Sequence, residues 1–152
     1  MQNLVSKKEE EERRLKALAE YRILGTKPES CYDDITKIAA TTCNVPISLM
    51  TLVDKDKQWF KSKIGLQISE TRRDWSFCTH AIKENSPLII HDAFQDERFI
   101  NNPLVTGDPK IRFYAGFPLR NSDGNKLGTL CVIDRKPGNL TTQQFNIMEL
   151  LS

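Results

Sequence analysis

The chain lacks a long apolar segment, an excess of one charge, and any sign of a leader. Its longest apolar runs, such as residues 127–133, are far shorter than the roughly 20 residues that a membrane-spanning helix needs. Residues 1–6 have no apolar core of a signal peptide. Lysine and arginine total 22 against 20 aspartate and glutamate, and the two signs are interleaved, so no basic face for nucleic acid is indicated. These absences predict a cytoplasmic domain that contacts neither a membrane nor nucleic acid.

Cysteines are few and unpaired in the sequence. Four of them, at positions 31, 43, 78 and 131, include no Cys-x-x-Cys motif. A chain of this length buries roughly 70% of its unfolded surface and needs no disulfides, so reduced thiols are expected. His80 follows Cys78 closely, but no second ligand pair stands at zinc-finger spacing. We therefore predict no metal site and no cofactor.

The first part of the chain is rich in charge. Opposite charges four residues apart, followed by apolar residues at helical spacing, predict a helix from Ser6 to Leu24 that Gly25 ends. Its first half has no apolar face to bury. We therefore divide the chain into a projecting charged helix or linker, residues 1–14, and one domain, residues 15–152.

The rest of the chain is predicted to form strands in hairpins, with helices between them. The order lacks the regular alternation of strand and helix that a parallel sheet requires, which predicts an α+β fold with a central antiparallel sheet. A final helix runs to the end of the sequence with no capping signal, so we expect further chain beyond residue 152. The predicted elements are a helix at Ser30–Cys43, strands at Ile47–Val53 and Gln58–Ile64, a helix from Ser76 to Glu84 closed by Asn85, strands at Leu88–His91, Phe113–Leu119 and Lys126–Asp134, and a last helix with a capping box at Thr141 and Gln144.

Residues 75–134 concentrate aromatic, polar and turn residues, which is typical of a lined cavity. Within them, 92–110 forms a long loop with one helical turn at 96–99, and a loop of that length in a compact domain is usually functional. The alternative is that the aromatic side chains only fill the core. The candidate pocket residues are Trp75, Phe77, Cys78, His80, Phe94, Asp96, Phe99, Arg112 and Tyr114.

Cys78 and His80 suggest nucleophilic catalysis, because a thiolate beside an imidazole is reactive. Two residues apart on a helix, however, side chains point about 200° apart and do not pair. A buried or cavity-lining thiol is therefore the favoured interpretation of Cys78.

Arg112 interrupts a strand that is otherwise aromatic and apolar. It either pairs with an internal carboxylate or offers its guanidinium to an anionic ligand. Internal pairing is favoured, because an unpaired guanidinium in a cavity is costly. The candidate carboxylates are those of Asp74, Asp92 and Asp96.

Taken together, the motifs of the chain resemble those of the GAF domain, in the subgroup found in bacterial signalling proteins. The resemblance covers nearly the whole chain from about residue 13. It is carried by Leu15-x-x-Leu18-x-x-Tyr21-x-Ile23-Leu24-x-Thr26-x-Pro28-Glu29, Leu52-Val53-Asp54, Gln58-Trp59-Phe60-Lys61-Ser62, Ser76-Phe77-Cys78-x-His80-x-Ile82, Pro87-Leu88-x-Ile90-x-Asp92-Ala93, Asp96-x-Arg98-Phe99-x-x-Asn102-Pro103-Leu104-Val105, Pro109-x-Ile111-Arg112-Phe113-Tyr114-Ala115-Gly116-x-Pro118-Leu119 and Gly128-Thr129-Leu130-Cys131-Val132-Ile133-Asp134.

The resemblance implies a sheet of five or six strands, helices on one face, and a pocket on the other face under the long loop. It implies a sensing or regulatory module that is not an enzyme. Such a module binds an unknown small molecule, forms a homodimer through its terminal helices, and acts on an output domain of kinase, cyclase or phosphodiesterase type beyond residue 152.

Two other functions stay open, and a third is disfavoured. The domain is alternatively a structural dimerisation module with a vestigial pocket, or a redox enzyme of the methionine-sulfoxide-reductase kind that uses Cys78 and Cys131. Covalent bilin attachment is disfavoured, because bilin-binding GAF domains typically place a histidine directly after the cysteine, and here Thr79 intervenes.

Overall fold

A computed structural model describes the backbone of residues 4–152 and the side chains from residue 7 onward. Six strands form one sheet in the order β3-β2-β1-β6-β5-β4, and every neighbouring pair is antiparallel. The predicted α+β fold with a central antiparallel sheet is confirmed. The elements are α1 Leu4–Glu20, α2 Ser30–Cys43, β1 Ile47–Val53, β2 Lys57–Ile64, β3 Glu70–Arg72, α3 Phe77–Ala81, β4 Leu88–Ile90, α4 Pro103–Thr106, β5 Phe113–Arg120, β6 Lys126–Asp134 and α5 Thr142–Leu151.

The two faces of the sheet are covered by different elements. Strand β1 is buried along its whole length, because both of its faces are covered. Helices α2 and α5 pack on one face, around Phe113, Phe117 and Met148. On the other face, α3 and the loops around it enclose a second core that includes Tyr114 and Cys131. Because successive residues of a strand point to opposite faces, Phe113 and Tyr114 belong to different cores.

Helix α1 lies against the edge of the helical face. Its side chains at 7–10 are exposed, whereas Ala17 and Leu18 are buried against Trp59 and neighbouring apolar residues. Residues 1–3 of the predicted projecting segment lie outside the described residues, and the proposed boundary between 14 and 15 stays a prediction. Among the described helices, none is long and apolar enough to cross a membrane.

Two helices end earlier than the sequence predicts. Helix α1 ends at Glu20, not Leu24, because Ile23 and Leu24 fold back onto the same apolar cluster that Leu18 contacts. The turn passes through Arg22, whose φ is +50°. Helix α3 ends at Ala81, well before the predicted Glu84 and Asn85.

Three further differences lie in the edges and loops. Asn85 does not close α3; it accepts hydrogen bonds from Arg120 and Lys126. The short edge strand β3 was not predicted, since three residues carry too little alternation to be recognised. Besides the predicted turn at 96–99, the long loop contains a 3-10 turn at Ala93–Gln95 and helix α4.

Candidate functional site

A narrow cavity lies between the sheet and α3. Its volume is about 20 Å³, which is room for about one water molecule. Its base is formed by β1, β5 and β6, and two irregular segments cover it, one after β2 and one around α4. None of the lining residues is an aspartate, glutamate, lysine, arginine or histidine. They are Leu49, Gln58, Phe60, Leu66, Ile68, Thr71, Phe77, Cys78, Leu104, Pro109, Ile111, Tyr114, Cys131 and Ile133.

Hydroxyl groups converge on the sulfur of Cys78 at the base of the cavity. The Tyr114 hydroxyl donates a hydrogen bond to Cys78 Sγ over 3.1 Å, and Thr129 Oγ1 donates another over 3.0 Å. The hydroxyl of Thr51 lies 3.1 Å from Thr129 Oγ1 and itself accepts a hydrogen bond from the Thr129 backbone N–H. Thr51 and Thr129 therefore form a hydrogen-bonded pair behind Cys78, and the Thr129 hydroxyl is the member of the pair that reaches the sulfur.

The two cysteines of this site differ in acidity. Burial by itself raises the pKa of Cys78, but hydrogen bonds from Cys131, Thr129, Thr51 and Tyr114 outweigh it and lower the pKa to about 6. Burial raises the pKa of Cys131 well above its usual value, and its interaction with Cys78 raises it further. The pKa of the buried Tyr114 hydroxyl is also raised. Of these three groups, Cys78 is the one that loses its proton first.

A second polar cluster joins the cavity wall to the start of α3. Ser76 Oγ donates a hydrogen bond to Gln58 Oε1 over 2.6 Å, and Gln58 Nε2 donates to Thr71 Oγ1 over 2.7 Å. Ser76 also caps α3, as predicted, by accepting a hydrogen bond from the Thr79 backbone N–H. The orientation of α3, and so of Cys78, is thus fixed from the edge of the sheet.

Asn102 holds the α4 side of the cover in place. Its side-chain amide donates a hydrogen bond to the Trp75 carbonyl over 2.9 Å, and its Oδ1 accepts one from the Leu104 N–H over 2.8 Å. One side chain therefore caps α4 and ties it to the segment that precedes α3.

Replacing Asn102 with alanine is expected to destabilise the domain by about 1–2 kcal/mol, since both a helix cap and a partly buried hydrogen bond are lost. Chemical denaturation of the purified protein measures this change. Asn139→Ala is the matched control, because exposed Asn139 bonds only the N–H of the next residue. Equal effects of the two substitutions would contradict the role of Asn102.

Of the nine candidate pocket residues, Phe77, Cys78 and Tyr114 line the cavity. Phe99 is fully buried behind it and stacks on Phe77, with ring centroids 4.0 Å apart. Trp75 is half-buried and packs on the edge of the same core. Phe99 and Trp75 therefore support the wall without reaching the cavity.

His80, Phe94, Asp96 and Arg112 lie outside the cavity. His80 is half-buried with its ring edge-on to Phe99, and burial, helped by nearby cations, lowers its pKa. Phe94 is 41% exposed. Asp96 pairs with the neighbouring Arg98 over 2.7 Å. Cys78 and His80 diverge as expected, since Cys78 points into the cavity and His80 away from it.

The favoured carboxylate pairing of Arg112 is wrong. Its Nη1 donates to the backbone carbonyls of Val105 and Ile111, each over 2.9 Å. Its guanidinium lies 3.6 Å from the centre of the exposed Phe94 ring. Within the described part of the chain it makes no ion pair. Arg112 therefore fastens the cover by hydrogen bonds to backbone carbonyls.

The sequence does not single out Gln58, which lines the cavity, or Thr51 and Thr129, which lie behind Cys78. All three are buried polar residues within strands. The alternation of a strand contains the signal, since Thr51 stands two residues after Leu49 and Thr129 two residues before Cys131. A hydroxyl two residues from a side chain of the cavity face belongs to that same face.

A larger open cleft of about 490 Å³ lies on the outer edge of β2. Lys61 lines this cleft, and its side chain is fully buried. Its ammonium donates to Thr26 Oγ1 and to the Lys27 carbonyl, each over 2.7 Å, and pairs with Glu29 over 2.6 Å. Because its donors are already used, we interpret Lys61 as an anchor for the segment between α1 and α2.

The family model of the GAF domain matches residues 27–152. The chain belongs to the GAF domain family. The predicted resemblance is therefore confirmed. A GAF domain of an Acinetobacter phosphoenolpyruvate-protein phosphotransferase shares the fold, with 15% identity, a TM-score of 0.63, and coverage of 100% of this chain and 90% of that one.

A cyclic di-GMP phosphodiesterase of Pseudomonas aeruginosa is 39% identical to this GAF domain over 142 residues. The match covers 93% of this chain and 24% of the phosphodiesterase. The GAF domain thus corresponds to about a quarter of the length of this curated relative.

The prediction that this GAF domain is not an enzyme is wrong. A type II free methionine-R-sulfoxide reductase of Thermoplasma acidophilum has the same fold, with 12% identity, a TM-score of 0.65, and coverage of 89% of this chain and 90% of the reductase. The prediction relied on the family architecture, and that architecture includes working enzymes. Fold and family therefore do not separate sensors from catalysts here.

Proposed function

We propose that this GAF domain is a sensing and regulatory module of a bacterial signal-transduction protein. It binds a small molecule between the sheet and the two cover segments. The observation that carries this proposal is the enclosed, mostly apolar cavity on the sheet face, the usual architecture of a small-molecule site.

The cover supplies a route by which binding changes the domain. Leu66 and Ile68 close the cavity from the segment after β2, and Leu104 and Ile111 close it from the other side. A ligand larger than one water molecule requires these segments to move apart. It shifts the population only if it binds the open arrangement more tightly than the closed one.

The lining favours an uncharged ligand. No Asp, Glu, Lys, Arg or His lines the cavity, and the Cys78 sulfur already accepts two hydrogen bonds, so an ionised group would lose its hydration without gaining a free partner. Gln58 and Tyr114 are the polar lining groups best able to exchange their present hydrogen bonds for bonds to a ligand. The ligand class is therefore a neutral molecule with an apolar body and a small polar group.

The output and the assembly are part of the same proposal. The 39% sequence identity to a cyclic di-GMP phosphodiesterase supports a signalling protein with an output domain of phosphodiesterase type beyond residue 152. We propose that the terminal helices form a homodimer that passes the movement on. Leu150 on α5 is 87% exposed and is therefore available to such an interface.

Ile68→Trp is expected to lower the retention of a small molecule by roughly tenfold, the effect of about 1.4 kcal/mol. Ile68 stands at the cavity opening and is 46% exposed, so a larger ring there fills the entrance. Native mass spectrometry of protein purified from its expression host, followed by denaturation to release the ligand, measures the retained mass.

The matched control is Ile38→Trp. Ile38 is 47% exposed on α2, on the opposite face of the sheet, so this variant should retain the ligand. The sensing proposal fails if wild type and both variants each show only the mass of their own polypeptide, even after incubation with a small-molecule extract of the host. The structural dimerisation module would then be the better interpretation.

A further inference from the structure

The four cysteines fall into different environments. Cys78 and Cys131 line the same cavity, and their exposed fractions are 3% and 0%. Cys43 belongs to the helix-side core, and Cys31 is exposed on α2. Cys131 lies on β6 opposite Gly116 of β5, and a hydrogen bond from its thiol helps to lower the pKa of Cys78.

The surroundings of Cys78 differ from those of an ordinary core cysteine. Cys43 shows the ordinary case, because burial raises its pKa to about 11. Cys78 is more deeply buried, yet it accepts hydrogen bonds from Tyr114 and Thr129. A sulfur that accepts several hydrogen bonds is stabilised as the thiolate, which is the nucleophilic form.

Gly116 makes this arrangement possible. A Cβ at position 116 would overlap the hydroxyl end of the Tyr114 side chain. Tyr114 lies over the glycine two residues further along β5 and reaches Cys78 from there. The sequence Tyr114-Ala115-Gly116 thus provides both the donor and the space for it.

We propose that Cys78 is a site of oxidation by hydrogen peroxide, and that Cys131 is its resolving thiol. This inference goes beyond the proposed ligand binding, because it concerns a covalent reaction that takes place whether or not a reversible ligand occupies the cavity.

The reaction balances with these groups. The Cys78 thiolate attacks one peroxide oxygen, the O–O bond breaks, and the leaving hydroxide takes up the proton that Cys78 released, giving a sulfenic acid and water. The Cys131 sulfur then attacks the Cys78 sulfur, its proton leaves with the hydroxyl as a second water, and a disulfide forms. Two thiols are oxidised by two electrons, and one peroxide is reduced to two waters.

No aspartate, glutamate, lysine, arginine or histidine lines the cavity around Cys78. Among the lining residues, the titratable groups that face Cys78 are Tyr114 from β5 and Cys131 from β6. Both have raised pKa values, so they remain protonated donors while Cys78 ionises. The rate of oxidation should therefore follow the ionisation of one group.

The disulfide would replace the present contacts of α3. A covalent bond from Cys78 to Cys131 joins α3 to β6. It also turns the Cys78 sulfur, which now accepts hydrogen bonds from Tyr114 and Thr129, into a weak acceptor. Two buried hydroxyls then need new partners, which favours a shift of α3 and its neighbouring cover.

Peroxide treatment of the folded domain at neutral pH is the test, with peptide mapping by mass spectrometry. We expect a Cys78–Cys131 disulfide to form while Cys43 stays reduced. The oxidation rate should rise with pH through about 6 and level off by about pH 8, following the ionisation of Cys78. In Cys131→Ser, a sulfenic acid at Cys78 should be trapped by a dimedone probe.

Tyr114→Phe tests the geometry with little change in packing. Loss of one hydrogen bond to the thiolate should slow the oxidation of Cys78 roughly tenfold and raise the pH at which it is half-maximal. Cys43→Ser is the control, and it should leave both quantities unchanged. The proposal is overturned if folded wild-type protein oxidises only at Cys31. It is also overturned if Cys78 reacts only in urea, at the rate of Cys43.

Discussion

Gly128→Ala is expected to destabilise the domain by about 3 kcal/mol, because the new methyl group has no space between two central strands. Gly128 pairs with Leu52 across β1 and β6, and a Cβ there would overlap the backbone carbonyl of Thr51. A backbone cannot move aside as a side chain can. At about 2–4 °C per kcal/mol for a domain of this size, the melting temperature should fall by about 6–12 °C, measurable by circular dichroism.

Gly138→Ala is the matched control for this substitution. A Cβ at position 138 would lie 3.5 Å from the nearest ring carbon of Phe113, an ordinary contact distance. Its effect should stay within about 0.5 kcal/mol. If the two variants melt at the same temperature, the close approach of the strands at Gly128 is not what requires glycine.

Arg14→Met is expected to cost about 3 kcal/mol, because it removes the charged anchor of α1 while keeping an apolar stem. The Arg14 side chain is 7% exposed, donates to the Val53 carbonyl over 2.6 Å, and makes two 2.9 Å bonds to Glu11. Urea denaturation measures the loss. Arg13→Met, an exposed position one residue earlier on the same helix, should be nearly neutral, and equal losses would contradict the anchor.

The same anchor makes the domain sensitive to acid. Burial opposes ionisation of Glu11, but hydrogen bonds from Arg14 and Arg73 outweigh it and lower the pKa of Glu11 from 4.5 to about 2. Because the folded pKa is depressed, the stabilisation is present above pH 4.5 and is lost as pH falls towards 2. For a carboxylate that is one-third exposed, we expect about 1–2 kcal/mol after solvent screening.

Glu11→Gln isolates that contribution. Its free energy of unfolding should be lower than that of wild type at pH 6, and the gap should close as pH falls from 4.5 towards 2. A gap that stays constant over this range would show that the Glu11 charge does not contribute to the acid response.

Where hydrophobic periodicity was long, the sequence predicted the fold well. Helix α2 and strand β6 occur at the predicted bounds, and Thr141 and Gln144 form the predicted capping box. Long elements repeat their pattern over several turns or pleats, so local chemistry and burial agree. Edge strand β3 and the end of α1 depend on contacts with distant residues, which no local pattern contains.

The site was predicted less well, for a physical reason. The sequence indicated the wall residues Phe77, Cys78 and Tyr114, because they cluster near each other along the chain. It did not indicate Gln58, which lines the cavity, or Thr51, which contacts Thr129 behind it. Both take these positions only when β1 and β2 pair with their neighbours. Sequence spacing locates elements, whereas the polar groups of a cavity are assembled by strand register.

Arg73 gives the domain a mechanical property. It pairs with Glu11 of α1, and its carbonyl accepts hydrogen bonds from Ser76 and Thr79, at the start of the helix that carries Cys78. Arg73 therefore contacts both α1 and the start of α3. Residues 4–11 of α1 extend about 10 Å from this contact at 1.5 Å per residue. A tilt of α1 by about 10° at Glu11 therefore displaces the start of the helix by about 2 Å. Arg73 thus connects α1 to the helix that carries the cavity residues Phe77 and Cys78.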